Sequence, residues 1–203
     1  SEAYDDDHPA WFKKVLTKLP DIAANACKEF WLPQLQAGKD HANRLFALSS
    51  NEMWSGIAQR VAIPLLAECP ELKGSNLSNL LIAALMCGDR SALTSLTIRR
   101  YEMDKTPGWP QWAAVAYLLE KCEWSDIKPV LFQKENDASD FLGFIFRVFY
   151  PQEVERVKKI PGIVLKIKIA EDLLDFYGRI YHPTSLGERE KDLEFYNSQR
   201  IIT

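Results

Sequence analysis

The sequence has little of what usually betrays a function. Its four cysteines, Cys27, Cys69, Cys87 and Cys122, never fall within four residues of one another, so there is no CxxC metal or redox pair. With 9 glycines and 11 prolines in 203 residues, collagen and low-complexity linkers are excluded. Neither charge sign dominates. The 25 Lys and Arg against 28 Asp and Glu leave a net charge of −3, too near neutral for a polybasic nucleic-acid module or an acidic disordered tail. The most apolar stretch, Phe141 to Tyr150, is ten residues long and carries Arg147. It falls well short of the ~20 residues that cross a bilayer, so it reads as a buried helix and no membrane partner is expected. The opening Asp5-Asp6-Asp7-His8 is the opposite of the basic-then-apolar order of a signal peptide. Alternating runs of β-branched residues, the mark of strands, are nearly absent.

What is present is apolar residues at helical spacing almost throughout, 47% of the chain being hydrophobic. A chain of this length buries roughly 70% of its unfolded surface, enough for a core without metals or disulfides. The cysteines sit in apolar helical context and read as free thiols packed like small hydrophobes, which fits a reduced, cytoplasmic setting. Trp11, Phe12, Val15, Leu16 and Leu19 form a first stripe. Pro20-Asp21 restarts a helix carrying Ile22, Ala26, Phe30 and Trp31, which Pro33 should kink or stop before Gly38. A short helix is expected around His41 to Leu48. Ser49 and Glu52 stand three apart as in a capping box, ahead of Trp54, Ile57, Ala58, Val61 and Leu65. Ser75 caps a helix through Leu77, Leu80, Leu81, Ala84 and Leu85. Gly88-Asp89 ends that one and starts another, through Leu93, Leu96, Ile98 and Tyr101.

Gly108-Trp109-Pro110 opens a helix that runs to about Cys122, because proline is tolerated in a first helical turn. Ser125 caps a short helix interrupted near Pro129, and Asn136-Asp137 opens the apolar helix ending at Tyr150-Pro151. A long amphipathic helix follows from Ile163 to Tyr181, with Leu165, Ile169, Leu173, Phe176 and Ile180 on one face. Ser185 and Glu188 form a second capping box for a last, charged helix. About ten to twelve helices result. The expected fold is all-α, one domain over 1–203, with helical hairpins stacked as a HEAT/TPR-like superhelix or an irregular array. Helix pairs recur loosely at roughly 35 to 45 residues, the range of such arrays. The start without Met and the apolar end Ile201-Ile202 read as those of a segment of a larger protein.

Chemistry-bearing patterns are sparse. There is no GxxxxGK[ST] loop, GxGxxG turn, HExxH or GxSxG, and hence no cofactor or catalytic residue to assign. His8, His41 and His182 lie far apart in sequence and read as surface or capping residues rather than metal ligands. No Arg precedes a His by four to six residues, which excludes helical endoribonucleases built on that spacing. Asp5 to Asp7 read as solvated acids complementing a helix dipole, and Glu171, Asp172, Asp175 and Arg179 as surface i,i+4 pairs. One pattern is less bland: Arg156, Lys158, Lys159, Lys166 and Lys168 are five basic residues with no intervening acid, suited to phosphate groups of nucleic acid or nucleotide or to an acidic neighbouring domain, and readable equally as solvated lysines flanking a helix start. Six tryptophans should mostly plug the core. Trp109 and Trp124, at element ends, are the candidates for an exposed interaction surface.

Several stretches together resemble a known family. His8-Pro9-Ala10-Trp11-Phe12 leads into a helix ending in Leu19-Pro20-Asp21. Ala62-Ile63-Pro64-Leu65-Leu66 precedes Cys87-Gly88-Asp89-Arg90-Ser91-Ala92-Leu93, and Leu173-Leu174-Asp175-Phe176-Tyr177-Gly178-Arg179-Ile180-Tyr181-His182-Pro183 comes near the end. In that order they resemble the helical, HEAT-like C-terminal region of large bacterial NACHT-type signal-transducing NTPases. The resemblance rests on packing and turn positions, so it transfers no functional residue. It implies a non-catalytic interaction or sensor module that binds a protein, another macromolecule or neighbouring domains of its own chain. The alternative is a small all-α enzyme with a site assembled from Asp5 to His8 or from Glu171 to Arg179.

Overall fold

The stripes fold as helices, and the computed structural model describes them over residues 9–103, 106–131, 133 and 135–149. Among the described residues there are nine α-helices, one 3-10 turn and no strand. The chain is all-α. The helices are α1 (Ala10–Lys18), α2 (Pro20–Gln36), α3 (Ala47–Ser50), α4 (Ser55–Glu68), α5 (Gly74–Cys87), α6 (Arg90–Tyr101), α7 (Trp109–Leu118), α8 (Trp124–Leu131) and α9 (Glu135–Phe149); the 3-10 turn, Glu52–Trp54, leads into α4.

Three helices contain an internal proline: Pro33 in α2, Pro64 in α4 and Pro129 in α8. None of these helices stops there. A proline leaves the carbonyl four residues earlier without its donor; here those are carbonyls of Glu29, Arg60 and Ser125, residues that are exposed as a whole. α2 runs three residues past Pro33 and ends at Gln36, ahead of Gly38 as expected, whereas the break expected near Pro129 does not occur.

Helix starts follow two chemistries. Asp89 accepts a hydrogen bond from the Ala92 amide at 2.8 Å and caps α6. Neither Ser49, expected to open a capping box, nor Ser75, expected as a cap, stands at the cap position. Asn51 instead accepts from the Met53 amide at 2.9 Å, while Ser49 is buried and donates to the Phe46 carbonyl. Ser75 lies inside α5, whose cap residue Lys73 makes no side-chain bond. The helix expected around His41 to Leu48 shrinks to α3, because Asn76 holds the preceding turn: it accepts from the Ala42 amide at 3.0 Å and donates to the Lys39 carbonyl at 2.7 Å.

α5 and α7 form the centre. Every residue of α7 is buried, as is the run Asn76 to Leu85 of α5. α4 packs on both α5 and α2, α7 packs on α6 and α9, and α3 closes over α5. Neighbours are thus often next-but-one in the chain rather than successive hairpin partners. Gly108 fixes the join between α5 and α7. Its φ of +69° suits glycine, and a Cβ there would collide with Leu77 and crowd the Leu72 carbonyl at 3.1 Å.

Candidate functional site

Both tryptophans expected at the surface are inside. Trp109 is 5% exposed and Trp124 8%. Both ends abut neighbouring helices rather than solvent. Trp109 donates its indole N–H to the Tyr101 carbonyl at 2.9 Å and stacks on the Tyr101 ring, joining α7 to α6. Trp124 packs between Phe141 of α9 and the edge of Tyr117 of α7. Trp11 is the exposed indole instead, at 65%. The basic residues Arg156, Lys158, Lys159, Lys166 and Lys168 lie outside the described residues, as do His8, His182, Asp5 to Asp7 and the Glu171 to Arg179 group. His41 is exposed.

One cleft of about 220 Å³ lies between the end of α2 and the α4–α5 turn. Lys39, Asp40, Glu71 and Lys73 line it beside Cys69, Leu72 and Asn76. Glu68, also at its wall, is bound by Lys28 at 2.5 Å. The amide of Asn76 is spent on the Ala42 and Lys39 backbone. Burial, and then the neighbouring Glu68 carboxylate, push the Cys69 thiol pKa upward. Cys69 is accordingly a poor nucleophile at neutral pH. Cys122 is held still more firmly in its thiol form: burial pushes its pKa up to about 12, and the Tyr101 phenol beside it is likewise pushed up to about 12, chiefly by burial. Among the described residues no group of three His, Cys, Asp or Glu side chains could hold a metal ion. No helix among them is long and apolar enough to cross a membrane.

The most unusual surface is on α2, which sequence periodicity reads inside out. Ile22, Ala26 and Phe30 form the expected core stripe together with Trp31. In the fold Trp31 is buried with Ala23, Ala24 and Leu35, whereas Ile22 is 63% exposed, Phe30 53%, and Ala26 and Pro33 are exposed too. Both stripes have helical spacing, and the inner one is masked in the sequence by its two small alanines. Leu19, at the head of the helix, is 49% exposed. The inner stripe is fixed by Trp31, which donates to the Asn43 carbonyl at 2.8 Å and packs on Trp54. Lys28 to Glu68 and Arg60 to Asp21 tie α2 to α4 at the edges. α2 therefore has a fixed rotation, and its apolar outer face is a consequence of it.

No protein-family model matches the chain, and no match is found among curated proteins or solved structures.

Proposed function

We propose that the chain is a non-catalytic helical interaction module that binds a protein through the α1–α2 edge. The observation that carries this reading is the exposure of Trp11, Leu19, Ile22 and Phe30 on two adjacent helices, beside an interior in which α7 and most of α5 are covered. Large aromatic and aliphatic side chains at a rigid surface supply most of the energy in protein interfaces. The cleft supports the same reading, since its only thiol is held protonated and its buried amide is already bonded within the fold.

The finer reading is that of a HEAT-like sensor or scaffold region accompanying a bacterial signal-transducing NTPase of NACHT type, in the cytoplasm. Its supports are the serial short helices joined by tight turns, the four free thiols and the sequence resemblance set out above. The test is cross-linking in extracts of the source cell with the wild type, Ile22→Glu and Phe30→Glu. The reading expects partners that disappear with both variants while the helical circular dichroism stays unchanged. Associations indifferent to both substitutions would overturn it.

A further inference from the structure

The outer stripe of α2 has an internal symmetry. Ile22 and Phe30 each lie four residues from Ala26, and Leu19 and Pro33 each lie seven from it. The spacing is palindromic. An antiparallel copy laid along the ridge about a two-fold axis at Ala26 therefore meets an apolar residue at every position. We propose that this face binds a second copy of the chain, with α2 packed antiparallel on α2. The proposal rests on the interaction reading above and names its partner.

Packing favours this occupant. The small Ala26 at the crossing point lets the two helices approach closely, and interaxial distance follows the side chains at the contact. Ile22 then seats against the partner's Phe30 on both sides of the axis, as an isologous interface requires. Electrostatics permits it as well. The exposed residues of α2 are Asp21, Ile22, Asn25, Ala26, Glu29, Phe30, Pro33 and Gln36. Only two are charged, and Asp21 is already held by Arg60 at 2.5 Å, so pairing traps no unmatched cluster of charge. The polar Asn25, Glu29 and Gln36 flank the apolar stripe as the rim of an interface does. With Ile22 63%, Phe30 53% and Leu19 49% exposed, and Ala26 and Pro33 beside them, the stripe amounts to on the order of 400 Å² per copy, which puts a pair at the low end of interface size, the range of weak, reversible association.

The test is sedimentation equilibrium of the full chain from low micromolar to several hundred micromolar. The wild type should dimerise over this range, and Ile22→Glu and Phe30→Lys should each remain monomeric. An equimolar mixture of these two variants should dimerise again, because each mixed pair keeps one native Ile22–Phe30 contact and sets opposite charges in the other. A wild type that stays monomeric throughout would overturn the proposal, as would dimerisation indifferent to the variants or a mixture that fails to reassociate. A variant that melts at a markedly lower temperature at high dilution would also overturn it, since the face would then be covered within one chain. A monomeric wild type whose contacts with another protein are still abolished by Ile22→Glu would sink the dimer and leave the interaction reading standing. Loss of both would sink both.

Discussion

α2 and α5 each carry apolar residues beyond a single stripe, and they end in opposite situations. α5 is enclosed by α3, α4, α6, α7 and α9, so Asn76 to Leu85 are all buried. Among the described residues α2 packs mainly on α4 and α1, and Ile22, Ala26 and Phe30 are exposed. A helix apolar all round belongs inside a protein. α5 satisfies that rule within one chain, whereas α2 has polar Asn25, Glu29 and Gln36 beside an apolar outer stripe that is exposed among the described residues. The two helices also differ in how they handle polar groups. α5 buries Asn76, Ser78 and Asn79, and the amide oxygen of Asn79 receives Arg147 of α9 at 2.5 Å and Ser49 at 3.3 Å. Among the described residues no such anchor is seen on the outer face of α2, and ion pairs tie its flanks to α4.

The contrast breaks most sharply at matched substitutions. Leu80→Glu places a charge at a fully buried position, and it should abolish the cooperative thermal transition. The milder Leu80→Ala should cost about 3–4 kcal/mol in urea denaturation. Gly108→Ala, at the α5–α7 join, combines a left-handed backbone with a collision against Leu77; a loss of about 2–4 kcal/mol is expected by the same method. Asn76→Ala removes both bonds holding the turn over α5, and should cost about 1–3 kcal/mol. Asp89→Ala should cost about 1 kcal/mol through loss of the α6 cap. Ile22→Glu should change the stability of the dilute chain by less than about 0.5 kcal/mol. A large loss there would erase the distinction between the two helices.

Alkali probes the interior by another route. Cys122 and Tyr101 have folded pKa values raised to about 12, first through burial. Their protonated forms are therefore favoured by folding, and the stability they contribute is complete below their ordinary values of 9.0 and 10.0. It is lost as pH rises from there toward about 12. Melting temperature should fall across that window, and Cys122→Ala should flatten the fall. A thiol reagent at pH 8 should leave Cys122 unmodified until the chain unfolds.

Much of the fold is legible because helical periodicity, Pro20, Asp89 and the Gly108-Trp109-Pro110 start each carry a local physical signal. What escapes the sequence is tertiary. Nothing local says that α8 will continue through Pro129, or that Asn76 will claim the turn before α3. Trp109 and Trp124 sit at helix ends, and whether an end meets solvent or a neighbour depends on helices far away in sequence. The α2 surface is present in the pattern, but the pattern points it inward. Ala23 and Ala24 are weak apolar signals, whereas Ile22 and Phe30 are strong ones, and size outweighs position. A second stripe on a helix anchored by Trp31 is the clue that the sequence holds.

The central claim is that the outer face of α2 is a working apolar surface and not a misplaced piece of core. Comparing the thermal unfolding and sedimentation of Ile22→Glu with those of the wild type tests it most directly. An unchanged melting temperature at high dilution is expected, together with loss of self-association at high concentration. A destabilised monomer, or an unaltered association, would contradict it.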